Sequence, residues 1–122
     1  MSSSSHSGRD YDLLAYIQES IARIDQYQSG GKEAFLDQPI VQDAILRRLE
    51  TLANAASHLS DNLKARHSEI PWRAIYGFRN VAAHGYLELD IGRVWNTIEL
   101  HLPVLKLAVI AELGDELHSA DK

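Results

Sequence analysis

The chain has 122 residues, 12 Lys and Arg against 17 Asp and Glu, no cysteine, and 45% hydrophobic residues. A chain of this length is expected to fold as one domain. The lack of cysteine excludes disulfides, thiolate zinc sites and a cysteine nucleophile. No apolar run reaches the roughly 18 residues of a membrane helix, and the N-terminus lacks the apolar stretch of a signal peptide. The sequence therefore predicts a soluble, cytoplasmic protein, and its net charge of −5 argues at first against a nucleic-acid partner.

The chain begins with the Ser-rich segment Met1–Gly8, which carries no periodic pattern. We therefore expect residues 1–9 to be a disordered N-terminal segment, residues 10–116 to form a helical domain, and residues 117–122 to be a C-terminal tail.

The first predicted helix begins at Asp10 and ends at Gly30-Gly31, because glycine commonly follows a helix C-terminus. Its apolar residues recur at steps of three and four and share one face: they are Leu13, Ile17, Ile21 and Ile24. A short helix is expected over Lys32 to Asp37.

A long helix is predicted from Pro39 to about Arg66, since proline suits the first helical turn. Its apolar stripe is unbroken: Val41, Ile45, Leu49, Leu52, Ala56, Leu59 and Leu63. Pro71 is predicted to start a fourth helix that runs to about Gly85.

A fifth helix is predicted after Asp90, a good N-cap residue, and its apolar face continues to Val109. Pro103 lies inside that pattern and is expected to kink the helix. No segment alternates with period two over more than a few residues. The predicted fold is therefore all-α: an up-and-down antiparallel bundle of four main helices plus a short helix.

The predicted fourth helix ends in a set of residues suited to phosphate chemistry, Arg79-Asn80-Val81-Ala82-Ala83-His84-Gly85-Tyr86. The guanidinium fork of Arg79 can bind a phosphate through two hydrogen bonds. His84 can move a proton in either direction near neutral pH, and Asn80 can orient a hydroxyl or a phosphate oxygen. RNA carries its own nucleophile, the 2′-OH, so a base and a cation suffice for cleavage.

The spacing of the motif favours a dimer. At roughly 100° per residue, Arg79 and His84 lie about 140° apart around one helix, whereas Arg79 and Tyr86 nearly coincide. Two copies facing each other could supply both groups to one cleft. Two simpler interpretations stay open: cations near a helix C-terminus complement its dipole, and Tyr86 could be a core residue with its hydroxyl at the surface.

At these residues the sequence resembles the HepT toxins, a branch of the HEPN superfamily of helical ribonucleases, whose motif is R-x4-H-x-Y. The likeness covers roughly Asp10 to Leu113. Further stretches that look like family positions are Gln42–Ile45, Ile70–Arg73, Gly77–Asn80 and Val94-Trp95 with Leu102-Pro103. Many relatives carry Gly-Glu-Ala in the long helix, where this chain has Leu52-Ala53-Asn54-Ala55.

The resemblance implies a metal-independent endoribonuclease that needs no cofactor and acts as a homodimer on RNA, either tRNA or mRNA. Arg79 and His84 would be the catalytic pair, and Asn80 a supporting residue. The implied partner is an MNT-type nucleotidyltransferase antitoxin that transfers AMP onto Tyr86, where added charge and bulk would obstruct the cleft. An alternative is a non-catalytic helical dimer that binds a nucleotidyltransferase or a nucleotide as a scaffold.

Outside the motif, Arg47, Arg48 and Arg73 are weaker candidates for RNA binding. Arg47 and Arg48, with Lys64 and Arg66, could track phosphates or could form an ordinary solvated face. Trp72 and Trp95 are expected in the core or at a dimer interface, and the scattered histidines do not have the spacing of a metal site. Residues 47–84 hold six basic and three acidic side chains against six and fourteen in the rest of the chain. This asymmetry favours a small, localised contact with phosphate.

Overall fold

A computed structural model describes residues 8–79 and 90–120, with side chains up to residue 114. Within these ranges every regular element is helical, which confirms the all-α fold class. The helices are α1 (Gly8–Tyr27), α2 (Gly31–Asp37), α3 (Pro39–Ser57), α4 (Asp61–Arg66), α5 (Trp72–Tyr76), α6 (Ile91–Asn96) and α7 (Leu102–Ala120), with a π-helical segment (Thr97–His101) joining α6 to α7. Among the described residues, no helix is both long and apolar enough to cross a membrane.

The core lies where α1 packs against α3 and α7. The predicted apolar faces supply most of it, and they bury Ile17, Ile21 and Ile24 of α1 almost completely. Leu14 takes the buried place at the start of this face, whereas Leu13 is only half-buried. α1 begins at Gly8, two residues before the predicted start. Neighbouring helix positions point about 100° apart. Burial of Leu14 in place of Leu13 therefore turns the start of the buried face toward the Leu14 side of the helix.

The two predicted helix breaks near the N-terminal half are confirmed. Gly31 has φ of 82°, a left-handed conformation that glycine adopts without a steric penalty, and α2 begins there. Pro39 occupies the first turn of α3, where its missing N–H removes no helical hydrogen bond.

The long helix predicted over Pro39 to Arg66 is wrong in one respect, because it is two helices. α3 ends at Ser57, and α4 starts after Ser60, whose hydroxyl accepts a hydrogen bond from the amide of Leu63 at 3.3 Å. The carboxylate of Asp10, which is 1% exposed, accepts hydrogen bonds from the Ser60 amide at 2.9 Å and from its hydroxyl at 2.6 Å. Asp10 therefore stabilises the break between α3 and α4 and connects the start of α1 to this junction.

The fourth predicted helix is interrupted within the described residues. α5 ends at Tyr76, and residues 77–79 form a turn in which the Arg79 amide donates to the carbonyl of Tyr76 at 3.0 Å. The remainder of the predicted helix, to Gly85, lies outside the described residues.

The last predicted helix has its expected cap and an irregular middle. Asp90 accepts hydrogen bonds from the amides of Gly92 and Arg93 at 2.9 and 3.3 Å, which confirms it as the N-cap. The π-helical segment lies directly before Leu102 and Pro103. Proline has no N–H for the ladder and its ring crowds the preceding turn, so a widened turn at this point has a physical cause.

A second buried carboxylate joins α4 to α7. Glu112, 5% exposed, accepts two hydrogen bonds from the Arg66 guanidinium at 2.9 and 3.2 Å and lies 2.6 Å from Nε2 of His67. Burial alone would raise the pKa of the Glu112 carboxyl, but the hydrogen bonds and charges of Arg66 and His67 outweigh it and hold that pKa below its ordinary value.

Replacing Asp10 with alanine is expected to lower the free energy of unfolding by about 2 to 3 kcal/mol, because two hydrogen bonds to a buried carboxylate are lost. Urea denaturation followed by circular dichroism measures the change. Asp12→Ala, an exposed position one half-turn away, is the matched control and should change stability by less than about 0.5 kcal/mol. Equal denaturation midpoints for the two variants would contradict the role given to Asp10.

The lowered pKa of Glu112 predicts a pH-dependent contribution to stability. A carboxyl whose folded pKa is depressed stabilises the fold fully above its unfolded pKa of about 4.3, and this contribution is lost as the pH falls through the lower folded value. The stability difference between the wild type and Glu112→Gln should therefore be large at pH 6 and shrink below about pH 4. Glu33→Gln, at an exposed position on α2, should show no such trend, and a pH-independent Glu112→Gln difference would refute the linkage.

Candidate phosphate-binding cleft

A cleft of about 560 Å³ opens between α1, α3 and the turn that follows α5. Three arginines from separate parts of the chain reach it, together with a carboxylate, an amide and an imidazole. Its lining consists of Arg9, Leu13 and Tyr16 from α1, Arg47, Glu50, Thr51, Asn54, Ala55 and His58 from α3 and its C-terminus, and Arg79 from the turn. Arg79, the first residue of the motif, therefore lies in a concave site whose other cations come from α1 and α3.

The Asp10–Ser60 contact explains why the start of α1 and the end of α3 meet at this cleft. Arg9 directly precedes the buried Asp10 and is exposed, while His58 lies two residues before Ser60 and is also exposed. The hydrogen bonds between Asp10 and Ser60 thus bring these two side chains to the same opening.

Arg79 is held against an aromatic ring. Its guanidinium carbon lies 5.4 Å from the centroid of the Tyr76 ring, and Nζ of Lys64 lies 5.1 Å from the same centroid. Cations within about 6 Å of a ring face are attracted by its quadrupole. Tyr76 itself packs beside Trp72, with the ring centroids 6.5 Å apart. The guanidinium of Arg79 is consequently positioned by α5 while remaining exposed to the cleft.

The charge of the cleft is positive although the chain as a whole is acidic. Its lining includes the guanidinium groups of Arg9, Arg47 and Arg79 and one carboxylate, Glu50. Glu50, whose side chain is 19% exposed, lies 3.1 Å from Nη1 of Arg47, whose side chain is 72% exposed. The Arg47 guanidinium therefore stays accessible from the solvent side of this ion pair. The guanidinium groups of the cleft suit an anionic ligand with more than one charge, such as a phosphodiester backbone.

His58 has a defined tautomer in its neutral form. Its Nδ1 lies 2.9 Å from the backbone carbonyl oxygen of Asn54. Because a carbonyl only accepts hydrogen bonds, Nδ1 must carry the hydrogen. The hydroxyl of Ser57 donates to the same carbonyl at 2.7 Å and lies 3.1 Å from Nδ1. In the neutral imidazole, Nε2 therefore has the free lone pair and can accept a proton.

The structure brings some of the predicted site residues together and separates others. Arg47 and Arg79 line the cleft, whereas Arg48, which is half-buried, and Arg73, which is exposed, are not part of its lining. Asn80, His84 and Tyr86 lie outside the described residues. Among the described side chains, in the ranges 8–79 and 90–114, no group of three His, Asp or Glu could hold a metal ion.

Several lining residues carried no functional signal in the sequence. Arg9 belongs to the segment expected to be disordered, and His58 was one of several scattered histidines. Asn54 is exposed in the lining of the same cleft. Asn54 and His58 are four residues apart, which places both on one side of α3 and its C-terminus. This spacing is the sequence pattern that connects these two residues.

The fold and the cleft define a helical domain with a concave surface lined by three arginines. The protein-family model described as "Ribonuclease HepT-like" matches residues 17–111. The chain therefore belongs to the HepT-like family.

Curated relatives agree with this family. "Probable ribonuclease HepT" of Thermococcus cleftensis is 32% identical over 96 residues, which cover 78% of this chain and 87% of the relative. "Putative RNase TTE0752" of Caldanaerobacter subterraneus subsp. tengcongensis is 29% identical over 93 residues, 76% of this chain and 83% of the relative.

A third relative is a longer protein. "Gamma-glutamylcyclotransferase and putative RNase MJ0434" of Methanocaldococcus jannaschii is 29% identical over 98 residues, which cover 80% of this chain but only 44% of that protein. No solved structure matches the chain.

Proposed function

We propose that this protein is a metal-independent endoribonuclease whose RNA substrate binds in the cleft formed by α1, α3 and the turn after α5. The observation that carries the proposal is the meeting of Arg79, the first motif residue, with Arg9 and Arg47 in one exposed cleft. Three guanidinium groups match a backbone with one negative charge per nucleotide. The names of the relatives from Thermococcus and Caldanaerobacter support ribonuclease activity.

In the proposed mechanism, the 2′-oxygen of a nucleotide attacks the adjacent phosphorus atom and displaces the 5′-oxygen of the next nucleotide. His84 takes part in the proton transfer, and Arg79 stabilises the negative charge that builds on the phosphoryl oxygens. Asn80 orients a hydroxyl or a phosphate oxygen. The products are a 2′,3′-cyclic phosphate end and a 5′-hydroxyl end. Neither the attack of the 2′-oxygen nor the departure of the 5′-oxygen requires a metal ion in this mechanism.

The same proposal includes control by a partner enzyme. The protein acts as the toxin of a HEPN/MNT pair in the cytoplasm and forms a homodimer whose two motifs share one cleft. An MNT-type nucleotidyltransferase antitoxin transfers AMP onto Tyr86. Each adenylyl group adds negative charge and bulk beside a cleft whose described cations bind phosphate, so it competes with RNA.

The first experiment measures RNA cleavage by purified protein in the presence of EDTA. Wild-type protein should cleave RNA and leave 2′,3′-cyclic phosphate ends, while Arg79→Ala and His84→Ala should each lower the rate by at least 100-fold, on the order of one lost transition-state interaction. The products are resolved by gel electrophoresis and by mass spectrometry of the ends.

Arg73→Ala is the matched control, because Arg73 is exposed and is not part of the cleft lining. Cleavage that disappears with EDTA would reject metal independence. Cleavage that survives in both motif variants would reject this mechanism. The absence of any cleavage, with intact binding of a nucleotidyltransferase, would favour the scaffold function instead.

The second experiment tests the modification of Tyr86. Incubation with the cognate nucleotidyltransferase and ATP should raise the intact mass by whole AMP units and abolish cleavage, because the adduct obstructs the cleft. Tyr86→Phe should keep its mass under the same conditions, and Tyr76→Phe, which retains the ring beside Arg79, should be modified like the wild type. An unchanged wild-type mass, or adducts that map to other residues, would remove this part of the proposal.

A further inference from the structure

The proposed reaction requires two proton transfers, and the motif supplies one histidine. The 2′-hydroxyl must lose its proton as its oxygen attacks phosphorus, and the departing 5′-oxygen must gain one. Arg79 cannot serve in either role because a guanidinium keeps its protons at any relevant pH. Within one protomer, a second acid–base group near the same phosphate would complete the reaction, and the motif of a second protomer in the proposed homodimer is the competing source; this step rests on the proposed function.

His58 is placed to be that group. It lines the same cleft as Arg79, it is exposed, and its Nδ1 hydrogen is committed to the Asn54 carbonyl at 2.9 Å. Among the described residues, no hydrogen bond to Nε2 is found. The bond at Nδ1 fixes the tautomer and orientation of the ring, as the carboxylate partner of histidine does in hydrolytic enzymes.

We infer that His58 is the general base of the cleavage reaction. Nε2 accepts the 2′-hydroxyl proton, the 2′-oxygen forms its bond to phosphorus, and the bond from phosphorus to the 5′-oxygen breaks. The 5′-oxygen receives its proton from His84, so the two histidines exchange protonation states and the charges balance. His58 also forms the C-cap of α3, which holds the start of its side chain at the edge of the cleft.

The cleft places cations around this base. Arg9, Arg47 and Arg79 share the lining with His58, as do Glu50 and Tyr16. The guanidinium groups bind the phosphate oxygens, and His58 acts on the neighbouring 2′-hydroxyl. Binding and proton transfer are thereby assigned to different side chains of one cleft.

The experiment uses His58→Asn in the full chain. The asparagine amide retains an N–H donor for the Asn54 carbonyl but has no equivalent of Nε2. His101→Asn, in the π-helical segment and outside this cleft, is the matched control. The substrates are an RNA 20-mer that spans a wild-type cleavage site and the same 20-mer with sulfur in place of the 5′-oxygen at that site, because a thiolate leaves without an acid.

His58→Asn should lower kcat by about 10²- to 10⁴-fold on both substrates and leave KM and the affinity for a 2′-deoxy analogue unchanged. His84→Ala, in contrast, should recover much of its activity on the sulfur substrate. A kcat for His58→Asn within threefold of the wild type, or recovery of this variant on the sulfur substrate, would overturn the role of His58 as the base. If Arg79→Ala abolishes cleavage while His58→Asn does not, only this inference fails; if the wild type cleaves no RNA, the proposed function fails as well.

Discussion

The cleft depends on the hydrogen bonds between the buried carboxylate of Asp10 and Ser60. A carboxylate removed from water is tolerated only when its oxygens accept hydrogen bonds, and Ser60 donates both of those that fix the junction. The contact joins residues fifty positions apart and ends α3 at Ser57, so that α1 and the end of α3 face one opening. This junction is the contact that holds Arg9 and His58 on the same surface as Arg79.

Some basic side chains are used to hold the fold together, and others are exposed in the cleft. Arg66 is committed to Glu112, and Lys64 lies on the Tyr76 ring and donates to the Ser57 carbonyl at 3.2 Å. Arg9 and Arg79 instead line the cleft and are exposed. The basic residues of the predicted long helix therefore do not act as one strip, and the cleft instead gathers cations from three elements. This cluster suits one localised contact with phosphate in an otherwise acidic protein.

Periodicity was sufficient to predict the helices and most of the buried faces, because local propensity and burial agree along α1 and α3. It could not predict the break between α3 and α4: Leu59 and Leu63 continue the apolar stripe and are both buried, while the cause of the break lies in Asp10. The same limit applies to the cleft. The motif identified Arg79 because its residues are adjacent in the sequence. Arg9 and His58 come to the cleft only through tertiary contacts, which produce no recognisable spacing in the sequence.

A chain of contacts also explains how an exposed arginine keeps a fixed position. Arg79 rests on Tyr76, Tyr76 packs beside Trp72, and the indole N–H of Trp72 donates to the carbonyl of His67 at 3.1 Å. His67 in turn contacts the buried Glu112 of α7 at 2.6 Å. One carboxylate therefore anchors the turn that carries Arg79, as Asp10 anchors the junction that carries His58. Two buried acids outside the lining therefore hold the walls of the cleft, while the arginines and the imidazole that line it stay exposed.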